Sequence, residues 1–219
     1  MTAPGRSLLQ AWTLPLWLPL LLCVTAAPAG AEPPKLDELL HTMDAAKASI
    51  DTLSGEFTQR NKVKLFKQEL SSKGRLFFKR PRQIRWEYTT PDPSTLILDG
   101  NRATLRTPGA APQVFDLDKD ATMRAIFEQL LTWLGPGSLQ AARADYELAA
   151  GGTPAAPTLQ LTPRADRPVA RAFSRVELRV DGKSGLLRAI ALVEKNGDEK
   201  EITFTKLQKN AALPSDAFR

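Results

Sequence analysis

The sequence predicts a mainly β (α+β) protein, an incomplete antiparallel β-barrel of about 11 strands under an amphipathic helical lid. Three observations lead there. A two-residue alternation is clearest in GRLFFKRPRQIRWEYTTP, Gly74 to Pro91, where Ile84, Trp86 and Tyr88 take one strand face and Arg85 and Glu87 the other. Apolar residues recur at helical spacing after residue 31 in only two segments, one ahead of the strands and one among them. Short turn signals separate the strand runs, and no crossover helices alternate with them, which favours sequential antiparallel pairing over a parallel sheet.

In chain order, Arg6 precedes an apolar run from Leu14 to Val24, and small residues follow to Ala29-Gly30-Ala31. This is the layout of a secretory signal peptide over residues 1–31, with cleavage after Ala31. Pro15 and Pro19 interrupt the run, which is too short for a comfortable membrane span. Residues 32–219 then form a single domain, exported and soluble. Cys23, the only cysteine, stands where a lipoprotein signal would place its acylated residue, but Leu22 before it is larger than lipoprotein processing prefers.

Leu36, Leu39, Leu40, Met43, Ile50 and Leu53 predict an amphipathic helix over 36–53. Strands are expected near 55–64, 68–79, 83–89, 94–99, 102–107 and 112–117, with a hairpin signal at Asp99-Gly100-Asn101. Met123, Ile126, Phe127, Leu130, Leu131 and Leu134 form the second helical stripe, capped by Asp120 and stopped by Gly135-Pro136-Gly137. A short turn over 138–142 leads to strands near 145–149, 157–162, 172–180, 185–194 and 199–207. A curved sheet of this size cannot close its concave face alone, so the two helices are its covers, and a dry volume between them would take an apolar ligand.

Lysines and arginines number 30 against 24 acidic residues, a net charge of +6 that favours anionic surfaces. Nucleic acid is not the partner. Export removes it from reach, and the cation Arg85 faces away from the ring of Trp86. Catalysis finds no support either. His41 is the single histidine, there is no second histidine or cysteine to complete a metal site, and no G-x-S-x-G elbow presents a nucleophile. The glycines form neither a phosphate loop nor a dinucleotide fingerprint, so no catalytic residue, metal or cofactor is expected.

The succession F-T-Q at Phe57 to Gln59, G-R-L-F-F-K-R-P at Gly74 to Pro81, R-W-E-Y at Arg85 to Tyr88, the prolines Pro91 and Pro93, L-D-G at Leu98 to Gly100 and D-A-F at Asp216 to Phe218 resembles the periplasmic outer-membrane lipoprotein carrier family, LolA-like. The resemblance runs in order over nearly all of residues 32–219. It implies an unclosed barrel with a helical lid and a periplasmic chaperone, a monomer that catalyses no bond change. Such a carrier takes acylated lipoproteins from an inner-membrane ATP-driven transporter, shields their acyl chains and passes them to an outer-membrane lipoprotein receptor.

The resemblance also implies that Arg80, the arginine of the KRP tripeptide, bonds lid-helix backbone in the closed form and serves cargo release. Phe57, Phe78, Trp86, Leu98, Met123, Phe127, Leu130 and Leu131 are the matching candidates for cavity and lid lining, though each by itself reads equally well as core. Members of the resembled family continue past the D-x-F segment with a further F-x-P-P-x-G stretch, whereas this sequence stops at Arg219, either because the carrier lacks that element or because the sequence is truncated. A periplasmic lipid-binding or sensory protein of the same shape, or a receptor anchored through Cys23, are the alternative readings.

Overall fold

The described residues form one antiparallel sheet of eleven strands. A computed structural model describes residues 32, 34–65 and 68–219. The expected leader, with its cleavage site and Cys23, lies outside the described residues. Helix α1 covers Leu36–Ala48, and β1 to β6 cover Thr52–Val63, Gln68–Lys79, Gln83–Thr90, Ser94–Asp99, Arg102–Arg106 and Gln113–Asp116. Helix α2 covers Ala121–Leu134, and β7 to β11 cover Tyr146–Thr153, Ala156–Pro163, Phe173–Val180, Leu187–Glu194 and Glu199–Lys209.

Sequential hairpins build each half of the sheet, and β1 pairing β11 joins the halves, with Phe57 opposite Phe204 and Gln59 opposite Ile202. The two edge strands, β6 and β7, follow one another in sequence. They do not pair. The segment between them is α2, so the chain crosses from one edge of the sheet to the other through the second cover helix. The expected incomplete barrel is therefore present, with its open side bridged by a helix in the connection.

Strand periodicity divides the faces. Phe57, Leu76, Phe78, Ile84, Trp86, Leu98, Leu159, Val176, Leu178, Ile190 and Phe204 are buried on the inner face. The outer face carries charges, for example Arg75 and Arg85, which pair Glu87 at 3.0 and 3.3 Å. Gly74 stands opposite Phe57 in the β1–β2 register. A Cβ there would lie 2.3 Å from Phe57 Cζ and 2.1 Å from the Glu87 carbonyl, so only glycine lets the ring lie across the strand.

Three expectations are corrected. The first helix ends at Ala48, not residue 53, and Thr52 already pairs with Lys79. The backbone N–H groups of Asp51 and Thr52 donate to Asn210 Oδ1 at 2.8 and 3.4 Å, so a side-chain oxygen takes the place of helical carbonyls. Ile50 and Leu53 are buried as expected but outside the helix. In α2, Ile126 is 45% exposed and Trp133 is buried in the apolar surface instead. The short turn after α2 is a 3₁₀ segment at Ala141–Ala144, slightly later than expected.

Candidate functional site

Aromatic rings form part of the inner floor. Phe57 and Trp86 lie with centroids 4.4 Å apart, Tyr88 meets Phe57 edge-on at 5.3 Å, and Phe204 meets Trp86 at 6.1 Å. Toward the β1–β2 turn the same face becomes polar. Tyr88 donates its hydroxyl proton to Gln59 Oε1 at 2.8 Å, and Gln59 Nε2 donates to Asn61 Oδ1 at 2.9 Å. Burial pushes the Tyr88 hydroxyl pKa up.

Two helices cover this floor. Phe127, Leu131, Trp133 and Leu134 are the buried residues of α2, and Leu39, Leu40, Met43 and Lys47 those of α1. Asp120 Oδ1 accepts the Met123 N–H at 2.9 Å, so the expected cap of α2 is formed. Arg82, in the β2–β3 turn, reaches Glu128 of α2 at 2.8 Å. Tyr146 at the start of β7 donates to Gln129 Oε1 of α2 at 2.7 Å, and burial raises its hydroxyl pKa to about 12.

Arg80 ties α1 to the sheet. Its Nε donates to the Ile50 carbonyl at 3.0 Å, and its Nη2 donates to the Lys47 and Ala48 carbonyls at 3.0 and 3.1 Å. The Lys47 and Ala48 carbonyls belong to the last turn of the helix, where the Lys47 carbonyl also accepts the Ile50 N–H at 3.1 Å, and a cation there suits the helix dipole. A guanidinium can hold several carbonyls from one fork, which a lysine could not match in geometry.

A second cation then ties α1 to α2. Lys47 is 6% exposed, yet its Nζ donates to the Thr132 carbonyl at 2.8 Å and to the Gly137 carbonyl, and lies 3.2 Å from Asp44 Oδ1. Burial lowers its pKa, and Asp44 opposes that shift. Asp44 in turn accepts from Ser138 Oγ and the Leu139 N–H, each at 2.9 Å. Burial raises the Asp44 pKa, but the Leu139 N–H, Lys47 and Ser138 outweigh it and hold the carboxyl below its ordinary value.

Of the residues expected to line a cavity, Phe57, Phe78, Trp86, Leu98, Phe127 and Leu131 are buried, and Met123 and Leu130 are half-buried against the same core. The structure brings them into one cluster. The expected dry volume between sheet and helices is closed, however, because side chains of both the sheet and the cover fill it. Phe57, Phe78, Phe127, Leu40 and Met43 are among the fully buried large side chains. One small cavity of about 20 Å³ lies among Met43, Lys47, Leu53, Trp133, Leu134 and Leu207. A larger groove of about 310 Å³ runs over the outer face, between charged residues such as Arg60, Glu69, Arg175 and Glu201, and is not the expected apolar site.

Sequence reasoning missed Lys47, Asp44 and Trp133. One signal was available for Lys47. It stands four residues after Met43 and three before Ile50, in the line of the apolar stripe, where a charge needs a partner. Its carbonyl partners, 85 and 90 residues away, had no such signal.

A family model described as outer membrane lipoprotein carrier protein LolA matches residues 48–219. The outer-membrane lipoprotein carrier protein of Xanthomonas oryzae pv. oryzae is 29% identical over 188 residues, covering 80% of this chain and 83% of that protein. The carrier protein of that name in Ralstonia nicotianae is 29% identical over 206 residues, covering 91% and 88%. Among solved structures, MucB is similar in fold, with a TM-score of 0.51 at 17% identity over 84% of this chain and 62% of MucB.

Proposed function

This chain belongs to the outer membrane lipoprotein carrier family LolA, and we propose that it binds the acyl chains of lipoproteins released from the inner membrane and delivers them to the outer membrane. It is an exported periplasmic protein of a non-catalytic family. Its partners in this reading are acylated lipoproteins, an inner-membrane ATP-driven transporter that loads it and an outer-membrane receptor that unloads it. The protein acts as a monomer.

The observation that carries the reading is the bonding of Arg80 to the Lys47, Ala48 and Ile50 carbonyls at the end of α1. A carrier of acyl chains faces a partition problem, since each buried CH₂ is worth about 0.8 kcal/mol and spontaneous escape from a membrane is slow. The apolar side chains of the covers fill the interior when no cargo is present. Acyl chains would take their place when the covers move, so loaded and empty states need differ by only a few kcal/mol. The Arg80 fork is directional and breaks with a small shift of α1, which makes it a suitable catch for a cover that must both close and yield.

Radiolabelled lipoprotein in inner-membrane vesicles tests this. With the transporter, ATP and this protein, lipoprotein is expected in the soluble fraction as a complex with it. Arg80→Leu should still take up lipoprotein and deliver it poorly to outer membranes. Lipoprotein that stays in the vesicles overturns the proposed function, and an unchanged delivery rate for the variant removes Arg80 from it.

A further inference from the structure

The β1–β2 hairpin runs past both of its neighbours in the sheet. On one side the pairing of β2 with β3 stops where Lys73 meets Thr90, and on the other β11 begins opposite Lys62. Backbone positions 68–72 of β2 therefore have no strand beside them on that side, and the turn at Lys64 and Leu65 stands at the end of a two-stranded ribbon. Leu65 is 82% exposed there, and Leu70, two residues into the paired part of β2, is 49% exposed. The surrounding sequence is basic, with Arg60, Lys62, Lys64, Lys67 and Lys73 against Glu69 alone in residues 60–73.

We infer that the tip of this hairpin is a docking surface for an anionic phospholipid bilayer, with Leu65 entering the headgroup region and Lys62 and Lys64 meeting lipid phosphates. The acidic groups beside the tip leave that charge in excess. Glu69 lies 3.7 Å from Arg60, and Glu199 lies 3.3 Å from Lys62. Asp198 accepts the Lys64 backbone N–H at 3.0 Å and Asn196 Nδ2 at 3.0 Å, which joins the base of the tip to the β10–β11 turn. The exposed Lys64 ammonium is in no ion pair among the described residues. The Lys62 pair with Glu199 is exposed on both sides, so a phosphate can replace the carboxylate at little cost.

Shape favours lipid over a protein partner. A stable protein contact needs about 800 Å² from each side, whereas a narrow convex tip with a leucine at its end offers far less. In a bilayer the same form is an advantage, because the leucine reaches apolar surroundings while the lysine stems lie along it and their ammonium groups stay among the phosphates. β2 runs 12 residues from this end to Lys79, next to Arg80, roughly 35 Å of strand. Docking at the tip therefore leaves the Arg80 catch and the cover helices clear of the bilayer, and it is independent of acyl binding at the covers.

Sedimentation with protein-free vesicles tests the inference, one set of phosphatidylethanolamine with phosphatidylglycerol and one of phosphatidylcholine, at low ionic strength. The protein is expected to bind the anionic set at least about tenfold more tightly. Leu65→Ser should weaken that binding about tenfold. Lys62→Gln with Lys64→Gln should remove the preference for anionic lipid, at about fivefold per lysine. Val114→Ser and Ile126→Ser, at exposed apolar residues elsewhere, and Arg80→Leu should all bind as the unaltered protein does. Equal binding to the two sets, variants at Leu65 or the two lysines that bind normally, or an equal loss in Val114→Ser each overturns the docking surface and leaves acyl carriage untouched. Binding only to native membranes that retain their proteins makes the tip a protein contact and overturns the lipid assignment.

Discussion

The two cover helices are similar in length and are held down in different ways. α1 has 13 residues and α2 has 14. α2 buries Phe127, Leu131, Trp133 and Leu134, and its first turn is capped by Asp120. α1 buries Leu39, Leu40, Met43 and Lys47, lacks a side-chain N-cap, and has its last carbonyls bonded by Arg80. Burial is non-directional and falls away gradually as a helix slides. Hydrogen bonds to a guanidinium fork depend on distance and angle and are lost within a small shift. The comparison therefore separates a cover held mainly by gradual apolar contacts from one held in addition by directional bonds at its end. Lys47 couples them, because it belongs to α1 and bonds the end of α2.

The comparison can be broken first at α2. Phe127→Ala removes a fully buried ring and should destabilise the fold by about 3–5 kcal/mol, read from urea unfolding. A loss below 1 kcal/mol would mean that the helix is not held by burial. Next is the link. Lys47→Ala leaves Asp44 without its cation and two carbonyls without a donor, at an expected cost of about 3 kcal/mol. Hydrogen exchange should show greater loss of protection around the end of α2 than in the strands, and uniform loss would deny the coupling.

The smallest expected effect is in acid. The Asp44 pKa is below its ordinary value of 3.8 in the folded protein. Its contribution to stability is thus present above that value and is lost as the pH falls through the lower folded one. Asp44→Asn should flatten this part of the stability profile between neutral pH and strong acid. A profile that stays the same in the variant would assign the acid sensitivity to other carboxylates.

Much of the sheet was legible from alternation. Val176, Leu178 and Val180 face inward and Arg175 and Arg179 outward, as the pattern requires. The end of the first helix was not, since Ile50 and Leu53 are buried in either conformation and only pairing with β2 and β11 decides that Leu53 is a strand residue. For α2, Trp133 belongs to the buried side and Ile126 does not, because the adjacent loop and α1 wrap the end of that helix more than its beginning. Arg80 was singled out through the family resemblance that its tripeptide helps to carry. Nothing local in the sequence identifies the carbonyls it binds, because every residue carries the same acceptor.

Gly74 to Pro91 illustrates the division. The sequence alone determines that Ile84 and Trp86 share an apolar face, that charged residues line the other, and that chain turns separate the strands, since side-chain period and backbone sterics are local properties. Tertiary structure decides that β1 meets β11, that Phe57 crosses Gly74, and that Arg80 reaches the end of α1. It also decides that the expected cavity is filled. Packing of covers onto a concave face depends on shape and volume summed over distant segments, and no local pattern contains that sum.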